Sequence, residues 1–286
     1  MPAGNCQLSD DWSTLRLLNV EKVSSDTKVF TFATPDETKP LNLPTCACLL
    51  ASGGADAEGN PFVRPYTPVS TNARVGEFDL MVKIYPQGNL SQFMDKMKPG
   101  DTLDFKHIKF NVKRQYPFEF DHLGMLVGGT GITPMIQALH AVLGNPEDST
   151  KVTMLYGSQR SDQILCEQIL MDWQNDFPER LKVIHVMSNE PEKTKGIVRT
   201  TLRYVRKLLG SFPGIKPPAG SSWDGQKGFI TKELIESNFP GPSENTNIFV
   251  CGPPPMYDAL CGARDQEKLT GVLADLGYAK EQVTKF

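Results

Sequence analysis

The sequence predicts two domains, an antiparallel β-barrel over residues 1–115 followed by an α/β domain with a parallel sheet over 121–286. Three observations predict this. From about residue 15 to 110, short apolar runs alternate with turns containing Gly, Pro and Asn, the pattern of an antiparallel sandwich or barrel. Beyond a linker near 108–120, strand-like runs alternate with segments of helical period, which implies a parallel sheet flanked by helices. The third is local. The run Leu123 to Val127 passes through Gly128-Gly129-Thr130-Gly131-Ile132-Thr133-Pro134-Met135 into a segment of helical period. The chain is 286 residues long, enough for two average domains, and 39% hydrophobic residues can fill two cores.

In the first half the expected strands are Thr14–Lys22, Lys28–Ala33, Cys46–Ala51, Val63–Thr67, Phe78–Tyr85 and Thr102–Lys106. Residues 52–60, rich in Gly, Ala and Asp, read as a surface insertion. In Phe78–Tyr85, alternation assigns Phe78, Leu80, Val82 and Ile84 to the core and Asp79, Met81, Lys83 and Tyr85 to the other face. Lys83 beside Tyr85 suits a flat, polar, electron-rich ligand, and equally a solvated face. In Arg64-Pro65-Tyr66-Thr67-Pro68 the prolines point to an edge strand. Arg64 brings a donor fork for phosphate and Tyr66 a ring on the same face. Gly88-Asn89-Leu90-Ser91 then opens a short amphipathic helix carrying Leu90, Phe93, Met94 and Met97, whose N-terminus suits a pyrophosphate. Together these pieces describe an anionic, flat, diphosphate-bearing ligand.

In the second half the expected order is strand Leu123–Val127, helix Pro134–Leu143, strand Lys151–Tyr156, helix Asp162–Asn175 and strand Leu181–Met187. After an irregular insertion come helix Lys232–Phe239, strand Asn247–Cys251, helices Pro255–Cys261 and Asp265–Leu276, and a last short strand ending at Phe286. Thr133 is the expected N-cap of the glycine-loop helix, Pro134 its first residue, and Gly277 the C-cap of the last helix. A glycine turn before a helix N-terminus receives phosphate, although an ordinary strand-to-helix turn has the same spacing. Cys251-Gly252-Pro253-Pro254-Pro255-Met256 closes a strand before a helix, at the carboxyl edge of the sheet beside the loop after Val127. Cys251 there either presents its sulfur to a bound ring or is a buried structural thiol.

Charge and composition exclude several classes. A net charge of −3 leaves no basic footprint for nucleic acid. No apolar run approaches the roughly 20 residues that span a bilayer. The first residues carry neither a signal-peptide core nor a glycine at position 2, so the chain is expected to be soluble as given. Six scattered cysteines suit a reducing compartment. Cys46 and Cys48, expected on one side of a strand, lack a second pair or a His cluster, and no metal site is expected. His107, His122, His140 and His185 have no Ser or Cys partner at telling spacings. Seven Lys or Arg against one Glu lie in 191–216, where Thr200–Leu209 has the pattern of a basic amphipathic helix. This stretch is either a solvated insertion or a surface for an acidic partner or an anionic membrane.

At Arg64-Pro65-Tyr66-Thr67-Pro68-Val69-Ser70, Gly128 to Met135 and Cys251 to Met256, the sequence resembles the NADH–cytochrome b5 reductase family over about residues 12 to 286. The run Phe105 to Lys113 is similar to a plant and algal branch assigned to mitochondria. The resemblance implies an FAD-binding barrel and an NAD(P)H-binding α/β domain. It implies that Arg64 and Pro65 meet the FAD phosphates, that Tyr66 packs on the flavin, and that Thr67 bonds near its ring. Val82, Lys83 and Tyr85 would line the flavin and the AMP half, while Gly88, Asn89, Leu90 and Ser91 cradle the pyrophosphate. Gly129, Thr130, Gly131, Thr133 and Pro134 would meet NADH, joined by Cys251, Gly252, Pro253, Pro254, Met256 and Phe286. Thr67, Lys83 and Cys251 are the candidate catalytic residues, and Thr130 to Pro134 the expected meeting point of the two cofactors.

The implied activity passes a hydride from NADH to FAD and then single electrons to a haem acceptor such as cytochrome b5, from a monomer. It implies a mitochondrial location, or the cytoplasmic face of a membrane if an anchor lies outside this chain. Three departures stand out, one being that the basic insertion has no counterpart in the family. Asn89 replaces the family's usual Lys after the glycine. Met187-Ser188-Asn189 lacks the acidic residue that many members use to prefer NADH, which, with Arg160 nearby, leaves NADPH open. The rival readings are an NADPH-preferring or nitrate-reductase-like flavin module and a non-enzymatic nucleotide-binding protein.

Overall fold

The computed structural model describes residues 5–190, 223 and 225–286. The basic stretch 191–216 and its expected helix Thr200–Leu209 lie outside them. The chain divides into two compact units, Met1–Pro117 with Ile136–Ala141, and Phe118–Met135 with Val142–Phe286.

The first unit is a curled six-stranded antiparallel sheet built from β1 (Ser13–Lys22), β2 (Thr27–Ala33), β3 (Leu49–Ala55), β4 (Pro61–Tyr66), β5 (Glu77–Lys83) and β6 (Thr102–Lys106). Its order is β4-β3-β6-β1-β2-β5, so β4 and β5 form the two ends of the order. Helix α1 (Asn89–Asp95) follows β5. The alternation expected in β5 holds on the core side: Phe78, Leu80 and Val82 are buried in one cluster with Ile84 packed against it. Phe32, Phe78 and Phe105 meet there at centroid distances of 4.8 to 5.9 Å, mostly edge to face, worth about 1 kcal/mol a pair beyond burial.

The other side of β5 is not the open face expected. Asp79 and Met81 are buried too, and the Asp79 carboxylate tolerates this because it has partners. It accepts from Thr31 Oγ1 at 2.7 Å, pairs with Arg74, and its amide donates to Ser70 Oγ at 2.9 Å. Two further expectations change. Residues 52 to 55 belong to β3 instead of a loop. A Cβ on Gly53 would stand 2.8 Å from Cε1 of Phe93, so the glycines let α1 close over the strand. Cys46 precedes the strand with φ +60, so it and Cys48 do not share a strand face.

The second unit is a six-stranded sheet, parallel throughout: β7 (His122–Gly128), β8 (Lys151–Ser158), β9 (Leu181–Met187), β10 (Gln226–Lys227), β11 (Thr246–Cys251) and β12 (Val283–Lys285). The order β10-β9-β8-β7-β11-β12 runs outward from β7 in one direction and then restarts beside it, so β7 and β11 flank the topological switch point. Among the described residues the helices are α2 (Ile132–Gly144), α3 (Glu167–Asp176), α4 (Lys232–Asn238), α5 (Pro254–Leu260) and α6 (Gly271–Asp275). Ile132, Met135, Ile136, Leu139, Val142 and Leu143 are all buried, as their spacing requires.

The helix expected over Asp162–Asn175 is a short 3₁₀ turn, Ser161–Gln163, followed by α3, which starts after Cys166 at φ +57. The expected helix Asp265–Leu276 shrinks to α6, because Gly271 holds φ +70, outside helical geometry. Leu269, Val272, Leu273 and Leu276 still pack on the same core. Gly277 does end that helix, at φ +85, with Gly277 N donating to Ala274 O and Tyr278 N to Leu273 O, the paired bonds of a Schellman motif.

Candidate functional site

In the first unit the candidate residues gather where β4 and β5 end. Pro65 is tolerated because β4 pairs with β3 alone. Arg64 is exposed, its Nη1 donating to Val63 O at 2.7 Å. Tyr66 is half-buried against the sheet core. Burial pushes its hydroxyl up to about 12, with Arg64 opposing and Tyr85 adding to the shift, so the three side chains share one electrostatic neighbourhood. Lys83 sits 5.9 Å from the centroid of the Tyr85 ring and is bound to Asp26 Oδ2 at 2.9 Å. Burial raises the Asp26 carboxyl, but hydrogen bonds from Lys83 and Ser24 and the Lys83 charge outweigh it, leaving the group below the usual range. Tyr85 itself lies beyond the strand and is 49% exposed, so a ring of a ligand has access to it. Thr67 is half-buried just past β4, and the Val82 side chain belongs to the core.

The turn at Gly88 is closed tightly at the start of α1, where neighbouring protein atoms take the space a side chain would need. A Cβ on Gly88 would collide with Ser91 Oγ and approach Tyr85 Cβ at 3.0 Å. Ser91 Oγ donates to Gly88 O at 3.0 Å and accepts from Tyr85 N at 3.2 Å, while Gln92 Nε2 donates to Tyr85 O at 2.9 Å. The first intrahelical bond is Gln92 N to Gly88 O, so the amides of Asn89, Leu90 and Ser91 precede the helical ladder. Asn89 is exposed, whereas Leu90 and Ser91 are buried.

In the second unit the two loops at the switch point interlock. Val127 of β7 pairs with Cys251 of β11 as the last rung between them. Past that rung a Cβ on Gly128 would lie 2.8 Å from Met256 Sδ and from Pro253 Cδ. One on Gly131 would lie 2.5 Å from the Cys251 carbonyl carbon and 3.0 Å from Gly252 N. Gly129 differs: its φ is +53 and a Cβ there would meet nothing within 4 Å. Its carbonyl accepts from the buried Tyr156 hydroxyl at 3.1 Å, and the same hydroxyl accepts from Leu165 N at 3.3 Å.

The glycine turn is a 3₁₀ segment, Gly129–Gly131, and α2 starts at Ile132 with Gly131 as N-cap. Thr133 is therefore not the cap, and Pro134 is the third helical residue, where a missing amide still costs nothing. Thr133, Pro134 and Gly131 are buried, and Thr130 is half-buried. Cys251 and Met256 are half-buried, Pro253 and Pro254 exposed. Phe286 joins this end of the sheet: its amide donates to Val250 O at 3.0 Å, its carbonyl accepts from Tyr257 Oη, and its ring stacks edge-on to Phe249 at 5.1 Å. Tyr156 holds the glycine loop at Gly129 O, and Tyr257 ties Val250 O to Phe286 O; neither was expected from the sequence. The signal available was a tyrosine at a buried position of a strand and of a helix, each needing a hydroxyl partner there.

Comparisons with known proteins assign both units to known domain families. The oxidoreductase FAD-binding domain model matches residues 14–112, and the oxidoreductase NAD-binding domain model matches 125–215 and 214–262. NADH-cytochrome b5 reductase 2 of Botryotinia fuckeliana is 37% identical over 281 residues, 96% of this chain and 72% of the relative. This chain belongs to the NADH–cytochrome b5 reductase family. The family's Kluyveromyces lactis member, also named NADH-cytochrome b5 reductase 2, is 36% identical over 283 residues, covering 97% of this chain and 84% of its own. The crystal structure of the cytochrome b5 reductase domain of Ulva prolifera nitrate reductase superposes with a TM-score of 0.77 at 26% identity, covering 99% of this chain and 100% of that one. The expected fold, a curled antiparallel FAD domain followed by a parallel-sheet nicotinamide-nucleotide domain, is thus the fold of this family member.

Proposed function

We propose that this reductase-family chain oxidises NADH through bound FAD and delivers the electrons to a cytochrome b5-like haem protein. The observation that carries the reading is the interlock of the Gly128–Gly131 and Cys251–Met256 loops at the switch point, where open α/β sheets bind their ligands. FAD, when bound, supplies the chemistry of taking two electrons as a hydride and releasing them singly. The chain's residues bind and align. Arg64 and the amides of Asn89 to Ser91 hold phosphate oxygens. Tyr66 and Tyr85 hold the flat parts of the flavin nucleotide, with Pro65, Val82 and Leu90 shaping the backbone around them. Thr67 and Lys83 act at the flavin ring, Lys83 being held in place by Asp26.

In the second unit Gly129, Thr130, Gly131, Thr133 and Pro134 receive NADH from one side of the switch point. Cys251, Gly252, Pro253, Pro254, Met256 and Phe286 receive it from the other. Cys251 lies at the nicotinamide. No acid–base pair is required, since alignment of the two rings and exclusion of water are what the protein contributes. The residues present fit both cofactors: the amides of Asn89, Leu90 and Ser91 precede the helical ladder and can receive phosphate, and Gly129 leaves open space at the nucleotide loop.

The purified chain is tested by its visible spectrum. Flavin bands that bleach on adding NADH anaerobically, and recover with oxidised cytochrome b5, support the reading; a colourless protein overturns it. The same assay with nitrate reductase fragments as acceptor separates the nitrate-reductase-like reading, which the Ulva prolifera likeness favours. The finer readings of a mitochondrial location and a monomeric state rest on the resemblance, and fractionation and light scattering test them.

A further inference from the structure

Tyr156 stands within the parallel sheet, in the row Val127, Tyr156 and His185 of β7, β8 and β9, and is fully buried. A buried hydroxyl needs partners, and this one has two whose roles are fixed by their chemistry. The Leu165 amide can only donate, and does so to Tyr156 Oη at 3.3 Å. The hydroxyl proton is thereby left for the Gly129 carbonyl, which can only accept, at 3.1 Å. Burial pushes the hydroxyl well above the usual tyrosine range, so it keeps that proton. Gly129 O accepts a second bond from the Ile132 amide, which occupies both of its lone pairs. Leu165 lies between the 3₁₀ turn Ser161–Gln163 and α3, so one hydroxyl pins together the loop after β7 and the loop after β8.

A trans peptide is planar, with its C=O and N–H pointing in opposite directions. Holding Gly129 O on the buried hydroxyl therefore turns the N–H of the same peptide, which belongs to Thr130, away from that hydroxyl. Thr130 precedes α2, so its amide has no place in the helical ladder. Gly129 puts no side chain in the way, since a Cβ there would meet nothing within 4 Å. The relay from Leu165 N–H through Tyr156 O–H to Gly129 C=O also polarises the peptide, which makes the Thr130 N–H a stronger donor. We propose that Tyr156 is a positioning residue for the dinucleotide: its hydroxyl sets the Gly129–Thr130 peptide so that the Thr130 amide donates to a diphosphate oxygen. The diphosphate is remote from the reacting ring, so this bond is made equally before and during hydride transfer. The inference rests on the reading of the glycine loop as the dinucleotide site.

The test uses the FAD-loaded protein, its Tyr156→Phe variant, which keeps the ring and loses only the hydroxyl, and Tyr278→Phe for comparison. Tyr278 lies in the same unit and donates to Pro240 O at 2.6 Å, a bond that touches neither loop. Ligand-observed NMR gives Kd for ADP, which carries a diphosphate, and for adenosine, which carries none. Stopped flow gives the dependence of flavin reduction on NADH concentration. In Tyr156→Phe the ADP Kd is expected to rise about tenfold, the effect of one bond to a charged group, with the adenosine Kd within about twofold of the parent. The half-saturating NADH concentration is expected to rise by a similar factor, while the limiting rate of flavin reduction stays within about threefold, the split that loss of uniform binding produces. Tyr278→Phe is expected to lower the melting temperature and leave both Kd values in place. An ADP Kd in Tyr156→Phe within about twofold of the parent overturns the assignment. So does an equal loss for ADP and adenosine, which marks Tyr156 as a general support of the unit. A parent whose flavin NADH does not reduce removes the functional reading, and the assignment falls with it; a parent that is reduced leaves that reading standing whichever way Tyr156→Phe behaves.

Discussion

Replacing Gly131 with alanine perturbs the switch-point loops without any change of backbone preference. Gly131 has φ −59 and ψ −8, ordinary helical values that alanine adopts freely. The whole effect is therefore steric. The new Cβ would stand 2.5 Å from the Cys251 carbonyl carbon and 3.0 Å from Gly252 N, against 3.4 Å for an ordinary contact. Neither neighbour is a flexible side chain. The Cys251 carbonyl oxygen stands closer still, so the Cys251–Met256 loop or α2 must retreat by more than about 0.9 Å, and both are tied to the central strands. Overpacking of this kind costs about 1–3 kcal/mol, or roughly 3–10 °C in the unfolding temperature of a unit this size. The functional loss is expected to exceed the stability loss, since a displacement near 1 Å at a site that aligns two reactants costs on the order of 100-fold in rate. Differential scanning calorimetry and stopped-flow flavin reduction by NADH measure the two effects separately. A Gly131→Ala protein with unchanged melting temperature and unchanged flavin reduction would refute the interlock.

Three further outcomes are expected. Gly144, at the end of α2, has open space where its Cβ would stand and no positive φ, so Gly144→Ala is expected to stabilise by about 0.5–1 kcal/mol in urea unfolding, opposite in sign to Gly131→Ala. Asp79→Asn removes the charge that Arg74 and Thr31 surround in a buried site, and is expected to cost about 3 kcal/mol by the same assay, with Glu77 still pairing Arg74. The Tyr66 hydroxyl is raised from 10.0 to about 12, so the folded state favours its neutral form; that contribution is whole below pH 10 and fades as pH climbs toward 12. Tyr66→Phe is expected to flatten the fall of stability across that alkaline window, and an equally steep fall in the variant would place the effect on other groups.

How legible the molecule was depends on which force governs each segment. Thr102–Lys106 and Leu181–Met187 have in the structure the limits read from the sequence, because alternation or an apolar run, ended by turn residues, leaves one solution. The apolar set Leu269, Val272, Leu273 and Leu276 named its core partners correctly while misreporting the helix length. Periodicity records which side chains are buried, whereas a single residue at φ +70 decides where the chain can be helical. Glycine misled in the opposite sense at Ser52–Ala55: a Gly-Gly pair reads as a loop, yet here it lets the Phe93 ring lie on a strand. The Asp79 network and the hydrogen bonds between Ser161 and Glu190 were not legible at all. They join residues 48 and 29 positions apart through polar side chains, which carry no period to announce their partners.

The glycine loop itself divides into parts with different physical reasons. Gly128 and Gly131 are small because the neighbouring loop occupies the space a side chain would need, so protein packing alone accounts for them. Gly252 is explained the same way, since its own Cβ would come within 3.3 Å of Gly128 N. Gly129 is not. Its φ of +53 is open to asparagine as well as glycine, and no protein atom lies within 4 Å of where a Cβ would stand. Its carbonyl is fixed by Tyr156, a buried tyrosine whose hydroxyl also anchors Leu165, so the peptide is rigid although its surroundings are open. A rigid peptide facing open space, between two glycines used up by packing, is the place in this loop where close approach by a ligand is the remaining reason for having no side chain.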